Sequence, residues 1–126
     1  MKDDHRLRRL VDGDTVWLWS VRQKVDRDCY ENCRTTLSLH REGSRSRLLI
    51  VFRPGPNRAV SNTYFDAGSV GTFPEGEWLN LYEPKTVHRL LRTAAARGEL
   101  HTEPRTREVD GWHLYETLMA AQNAEA

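Results

Sequence analysis

Along residues 15–25 the chain alternates with a period of two. Trp17, Trp19, Val21, Gln23 and Val25 fall on one side, and Val16, Leu18, Ser20, Arg22 and Lys24 on the other. Four of the first five are large or β-branched, the pattern of a strand with one buried face. After a polar loop over residues 26–32 the alternation resumes: Cys33, Thr35, Leu37 and Leu39 oppose Arg34, Thr36, Ser38 and His40. Glu42-Gly43-Ser44 reads as a hairpin loop. The unbroken apolar run from Leu48 to Phe52 suits a central strand covered on both faces. Pro54-Gly55-Pro56-Asn57 ends that run, because both prolines lack a ladder donor and Gly55 permits a tight turn. Residues 60–65 predict a weaker fourth strand, and Ser69 to Thr72 a short fifth one in Gly-rich surroundings.

Further on, the period changes from two to that of a helix. Pro84 stands where a first helical turn tolerates it, and Gly98 just past the last turn. Between them Val87, Leu90, Leu91, Ala94 and Ala95 form one stripe, so a helix is expected over 84–97. Asp110 can cap a second helix reaching about residue 121, with Leu114, Tyr115, Leu118 and Met119 inward. A hairpin turn at Asp110-Gly111, with Trp112 to Tyr115 as a strand, is the alternative. Thr102 to Arg107 reads as a polar loop. Residues 1–12 are charged, with Leu7, Leu10 and Val11 spaced for an arm or a short helix, and the tail 122–126 is expected to fray. Four strands joined by short loops and followed by two helices predict one α+β domain over residues 13–121. Its sheet is an antiparallel meander of four to five strands, with both C-terminal helices packed on one face.

The order of elements resembles that of a family of small, uncharacterised actinobacterial proteins. The resemblance rests on Val11-Asp12-Gly13 leading into Trp17-Leu18-Trp19, and on Arg47–Arg53 running into Pro54-Gly55-Pro56. It continues through Leu79-Asn80-Leu81 before Glu83-Pro84, Val87–Gly98, and Val109-Asp110-Gly111-Trp112. It implies a small soluble domain from a GC-rich genome, and no functional residues transfer with it.

Composition narrows the functional classes. The chain has 126 residues, 19 basic against 18 acidic, for a formal net charge of +1. Three of the basic residues are lysines, at positions 2, 24 and 85, which leaves 16 arginines. Such a balance lacks the clear basic excess of a typical nucleic-acid or anionic-membrane binder. No run approaches the ~18 apolar residues of a membrane helix. Met1 to Arg6 is charged without an apolar segment behind it, so a soluble cytoplasmic protein with no secretory signal is expected.

Candidate chemistry is sparse. Cys29 and Cys33 form one pair where a zinc site needs two, and His5, His40, His88, His101 and His113 are scattered. Cys33 is therefore read as a small core residue and Cys29 as a loop thiol, with no metal and no cofactor. Asp66-Ala67-Gly68-Ser69-Val70-Gly71 has the glycines of an anion-cradling loop, but no lysine-serine pair opens a helix after it, so ordinary turn chemistry is favoured. Neither a nucleophile elbow nor a zincin helix pair is present. A small enzyme would need a pocket lined by His88, His113, Asp66 or Cys29.

On a meander, a strand separates its two flanking loops by about 20 Å, at ~3.3 Å per residue. Arg41, Arg45 and Arg47 then collect at one end of the sheet, with Arg6, Arg8 and Arg9 able to join them. Arg53 and Arg58 collect at the other, beside Lys24, Arg27 and Arg34. Asp12, Asp14 and Glu42 dilute the first group, and Asp26, Asp28 and Glu31 the second, so no continuous phosphate track is expected. Trp17 and Trp19 share a face with Val21 and Val25, which assigns them to the core rather than to base stacking. Trp78 and Trp112 either cover a sheet edge or belong to a partner surface. The leading expectation is a non-catalytic binding or accessory domain that works through a protein partner or self-association, with no membrane contact. The alternative is a nucleic-acid-associated module. Arg41, Arg45, Arg47, Trp78 and Trp112 are the candidate contact residues.

Overall fold

The computed structural model describes residues 7–61, 68–74 and 76–125. Its larger sheet has five strands: β1 (Arg8–Asp12), β2 (Thr15–Lys24), β3 (Arg34–Arg41), β4 (Arg47–Phe52) and β8 (Thr106–Asp110), in the order β1-β2-β3-β4-β8. The first four run antiparallel, three of them (β2, β3 and β4) being strands expected of the meander, while β8 lies parallel to β4. A smaller sheet holds β5 (Arg58–Val60), β6 (Ser69–Thr72) and β7 (Leu79–Asn80). Two helices follow late in the chain, α1 (Pro84–Ala96) and α2 (Gly111–Glu125).

β1 corrects the expectation of an arm or short helix before residue 13. The Leu7, Leu10, Val11 spacing fits a helical turn, but pairing decides otherwise. Asp12 faces Thr15 across the two-residue loop Gly13-Asp14, with Gly13 at φ 60°, and Leu10 comes opposite Trp17. Leu10 packs on the core, and Val11 on the opposite side of the strand stays 64 % exposed. The Gly13-Asp14 turn thus closes a hairpin.

The chain leaves the meander after β4. Gly55 and Arg58 exchange backbone hydrogen bonds (3.1 and 3.0 Å), which folds the segment after Pro54 back on itself and starts the separate small sheet. The remaining partner for β4 comes from Thr106–Asp110, in the stretch where a polar loop was expected through Arg107. Val109 is the single strongly apolar residue there, so the pattern conceals a strand, although charges are ordinary on an edge. A parallel neighbour requires a long crossover, and the small sheet with α1 forms it. Of the fourth strand expected over 60–65, Val60 and Ser61 are described and residues 62–65 lie outside the described residues, as do Asp66 and Ala67 of the Gly-rich loop.

α1 begins at Pro84 and ends where Gly98, at φ 71°, lets Glu99 N–H reach the Ala94 carbonyl (2.9 Å) and Gly98 N–H that of Ala95 (3.1 Å). Thr86 replaces Ala95 in the buried stripe, alongside Val87, Leu90, Leu91 and Ala94. α2 starts at Gly111, which excludes the alternative hairpin, and an Asp110 carboxylate oxygen accepts the Trp112 N–H at 3.0 Å.

One core joins these elements. The even-spaced set Trp19, Val21, Leu37, Leu39, Leu48, Ile50 and Phe52 clusters with the helix residues and with Val60, Val70 and Leu79 of the small sheet. Trp112 anchors it, 2 % exposed, edge-on to Phe52 at 5.1 Å and to Tyr115 at 5.4 Å, its indole N–H donating to the Arg53 carbonyl at 2.7 Å. All the buried helix residues join this one side of the large sheet. The outward side is left to the other half of each alternation.

Candidate functional site: the outward face of the large sheet

Because the side-chain period of a strand is two, burying Trp19, Val21, Leu37 and Leu39 turns Ser20, Arg22, Lys24, Arg34, Thr36 and Ser38 the other way. The antiparallel register then sets them side by side. Ser20 faces Ser38, Arg22 faces Thr36, and Lys24 faces Arg34; on the next strand, Leu49 faces Ser38 and Arg47 faces His40. These residues surround a concavity of about 770 Å³, lined by Ser20, Arg22, Gln23, Lys24, Arg34, Thr36, Ser38, Arg47, Leu49 and Leu7. Among the described residues, four cations and three hydroxyls border it, and no carboxylate does.

The electrostatics here are unusual for a chain of near-zero net charge. Arg53 pairs with Glu108 at 2.9 Å, Arg58 with Glu116 at 2.6 Å, Arg107 with Glu99 at 2.9 Å and Arg105 with Glu103 at 2.8 Å. Arg22, Lys24, Arg34 and Arg47 have no carboxylate within ion-pair distance among the described residues. Asp26 is close enough to feel Lys24, but its carboxylate turns into its own loop. It accepts Asp28 N–H (3.0 Å), Cys29 N–H (3.1 Å) and the Asn32 side-chain amide (3.1 Å). These bonds, led by Asn32, hold its pKa below the ordinary carboxylate value. Asp26, one of the acids expected to dilute the basic residues, is thus held within its own loop.

Lys24 and Arg34 are directly opposite like charges, an arrangement that costs stability in a sheet. Ser20, Thr36 and Ser38 make no side-chain hydrogen bond among the described residues, so their hydroxyls remain available as donors. Beside Arg47, the His40 imidazole is pushed toward its neutral form, first by burial and then by the guanidinium. The arrangement can bind an anion that spans the face.

Of the expected contact residues, the structure brings only Arg47 to this face. Arg45 is exposed in the loop before β4, and Arg41 has the inward parity of Leu37 and Leu39. Trp112 is core. Trp78 is 51 % exposed and lies over Gly71 of β6, where a Cβ would approach its ring to 2.8 Å. Trp19 is buried and Trp17 packs against the core, as their company with Val21 implies.

His88, His113 and Cys29 do not border the concavity, and Asp66 lies outside the described residues. His88 pairs with Asp12 (3.0 Å), His113 lies 3.7 Å from Asp110, and Cys29 is half-buried in its loop. Cys33 is buried and unoxidised, its thiol accepting Asp26 N–H at 3.3 Å. Among the described residues no three metal-ligating side chains stand together, and no helix is long and apolar enough to cross a membrane. Comparison with known proteins returns no matching family model, curated protein or solved structure.

Proposed function

We propose that the protein is a non-catalytic binding domain that takes an anionic macromolecule on the outward face of its five-stranded sheet. One observation carries this reading: four cations border a 770 Å³ concavity with no carboxylate paired to any of them among the described residues. Lys24 and Arg34 stand opposite each other at a cost to the fold, and an anion bound between them would remove that cost. Arginine supplies three of the four cations, and its planar fork suits bidentate contact with phosphate or carboxylate oxygens.

Fluorescence polarisation with labelled heparin and poly-glutamate at 50 mM salt tests it. Wild type binds at least one of them. Arg22→Glu/Arg34→Glu loses tenfold or more, and Arg45→Glu, an exposed cation off the face, stays within about twofold. Equal binding by the double variant refutes the assignment.

A second reading, contact with a protein partner or self-association, is supported by the 51 % exposure of Trp78 and 48 % of Phe73. Sedimentation velocity of Trp78→Ala against wild type tests the self-association arm, and identical monomeric boundaries for both proteins remove it.

A further inference from the structure

We infer that the anion on this face is the phosphodiester backbone of double-stranded nucleic acid, bound without regard to base sequence; the inference rests on the reading of the face as an anion-binding surface. Its reach is the first ground. From Arg34 to His40 along β3, with Arg47 beside the far end, the basic positions span about 20 Å at ~3.3 Å per residue. A compact anion contacts one end of such a track. A duplex presents a charge on each strand every ~3.4 Å of its axis, about six over the same length.

The donors between the cations are the second ground. Ser20, Thr36 and Ser38 occupy the middle of the track, and serine, threonine and arginine are the side chains that contact phosphate and sugar. The third ground is the absence of an aromatic lining. Trp17 and Trp19 belong to the core side, so among the described residues no aromatic side chain lines the concavity to stack an unpaired base. A single strand would forgo its main source of affinity here, whereas a duplex offers its backbone outward and its bases already stacked. A concave face also suits a convex cylinder. An acidic peptide usually gains affinity from a sheet by pairing along a free edge, but β3, which carries Arg34, Thr36 and Ser38, already has partners on both sides.

The four cations set the expected salt dependence. Four neutralised phosphates give a slope of log K against log salt of about −3.6, or about a 150-fold loss between 50 and 200 mM. The experiment is fluorescence polarisation with two 20-base-pair duplexes of unrelated sequence, one 20-nucleotide single strand and poly-glutamate, over that salt range. Arg22→Ala/Arg34→Ala is measured beside wild type, with circular dichroism to verify folding. The two duplexes should agree within about twofold, exceed the single strand, and show a slope that shrinks to about −1.8 in the double variant. A slope shallower than about −1, or one unchanged in the variant, overturns the inference. Poly-glutamate binding as tightly as duplex, with the same loss in the variant, overturns the nucleic-acid assignment while leaving the anion-binding face intact. No binding to any of the probes overturns both.

Discussion

Replacing Arg34 with glutamate should stabilise the fold while weakening binding. Lys24 lies directly opposite Arg34, and Arg22 lies diagonally across from it, opposite Thr36. Each such cross-strand charge pair is worth roughly 0.2–1 kcal/mol, destabilising when the signs match and stabilising when they oppose. Arg34→Glu turns the repulsion from both cations into attraction, a gain of about 1 kcal/mol at low salt. The lower strand preference of glutamate takes back a few tenths, on the order of 0.3 kcal/mol. For a chain of this length the remainder corresponds to a Tm increase of roughly 3 °C. Arg34→Gln, which removes charge without reversing it, should give about half of that. Urea unfolding at 20 mM salt, followed by the fluorescence of the buried Trp19 and Trp112, measures it. At 1 M salt the screening length falls to about 3 Å and the gain should vanish. A variant less stable than wild type at low salt, or equally stabilised at both salts, would show that Arg22, Lys24 and Arg34 do not repel one another.

Gly111→Ala should destabilise, because a Cβ there would sit 2.7 Å from three ring atoms of Phe52, whose ring is held by the edge of Trp112. Overpacking of about 1–3 kcal/mol outweighs the helix-propensity gain of up to about 1 kcal/mol. Phe52→Leu in the same background should recover part of the loss, and a neutral Gly111→Ala contradicts the contact. His40 should titrate below 6.5 by NMR, and Arg47→Ala should raise its pKa part of the way back, since burial is the larger cause and remains. With the folded-state pKa lowered, the unfolded chain binds the proton more readily, so this residue's contribution to stability is present above 6.5 and lost as pH falls through the folded value. An unchanged pKa in Arg47→Ala removes the guanidinium as a cause.

The elements whose burial follows the backbone period were readable from the chain. Alternation identified β2 and β3, and Pro84 with Gly98 bracketed α1 to within a residue of its observed end. β8 was hidden because an edge strand needs little apolar surface, and Thr106-Arg107-Glu108-Val109-Asp110 carries almost none. β1 was hidden because three apolar residues fit two periods and only its pairing with β2 decides between them. The binding face was partly legible. Alternation put Arg22 and Lys24 on one side, and an antiparallel return brings Arg34 opposite Lys24. Grouping arginines by the loops at the sheet ends obscured this, since charges on one face need not be near in loop order. That Asp26 turns its carboxylate into its own loop depends on local hydrogen bonds that no spacing rule reveals.

Amide chemical-shift mapping of the labelled protein, titrated with a 20-base-pair duplex at 50 mM salt, tests the central claim most directly. The perturbed amides should concentrate at Ser20, Arg22, Lys24, Arg34, Thr36 and Ser38, and the shifts should disappear when salt is raised to 300 mM. Perturbations centred instead on Trp78 and Phe73, or on Arg89 and Arg92 of α1, would place the contact elsewhere and contradict the assignment of the sheet face.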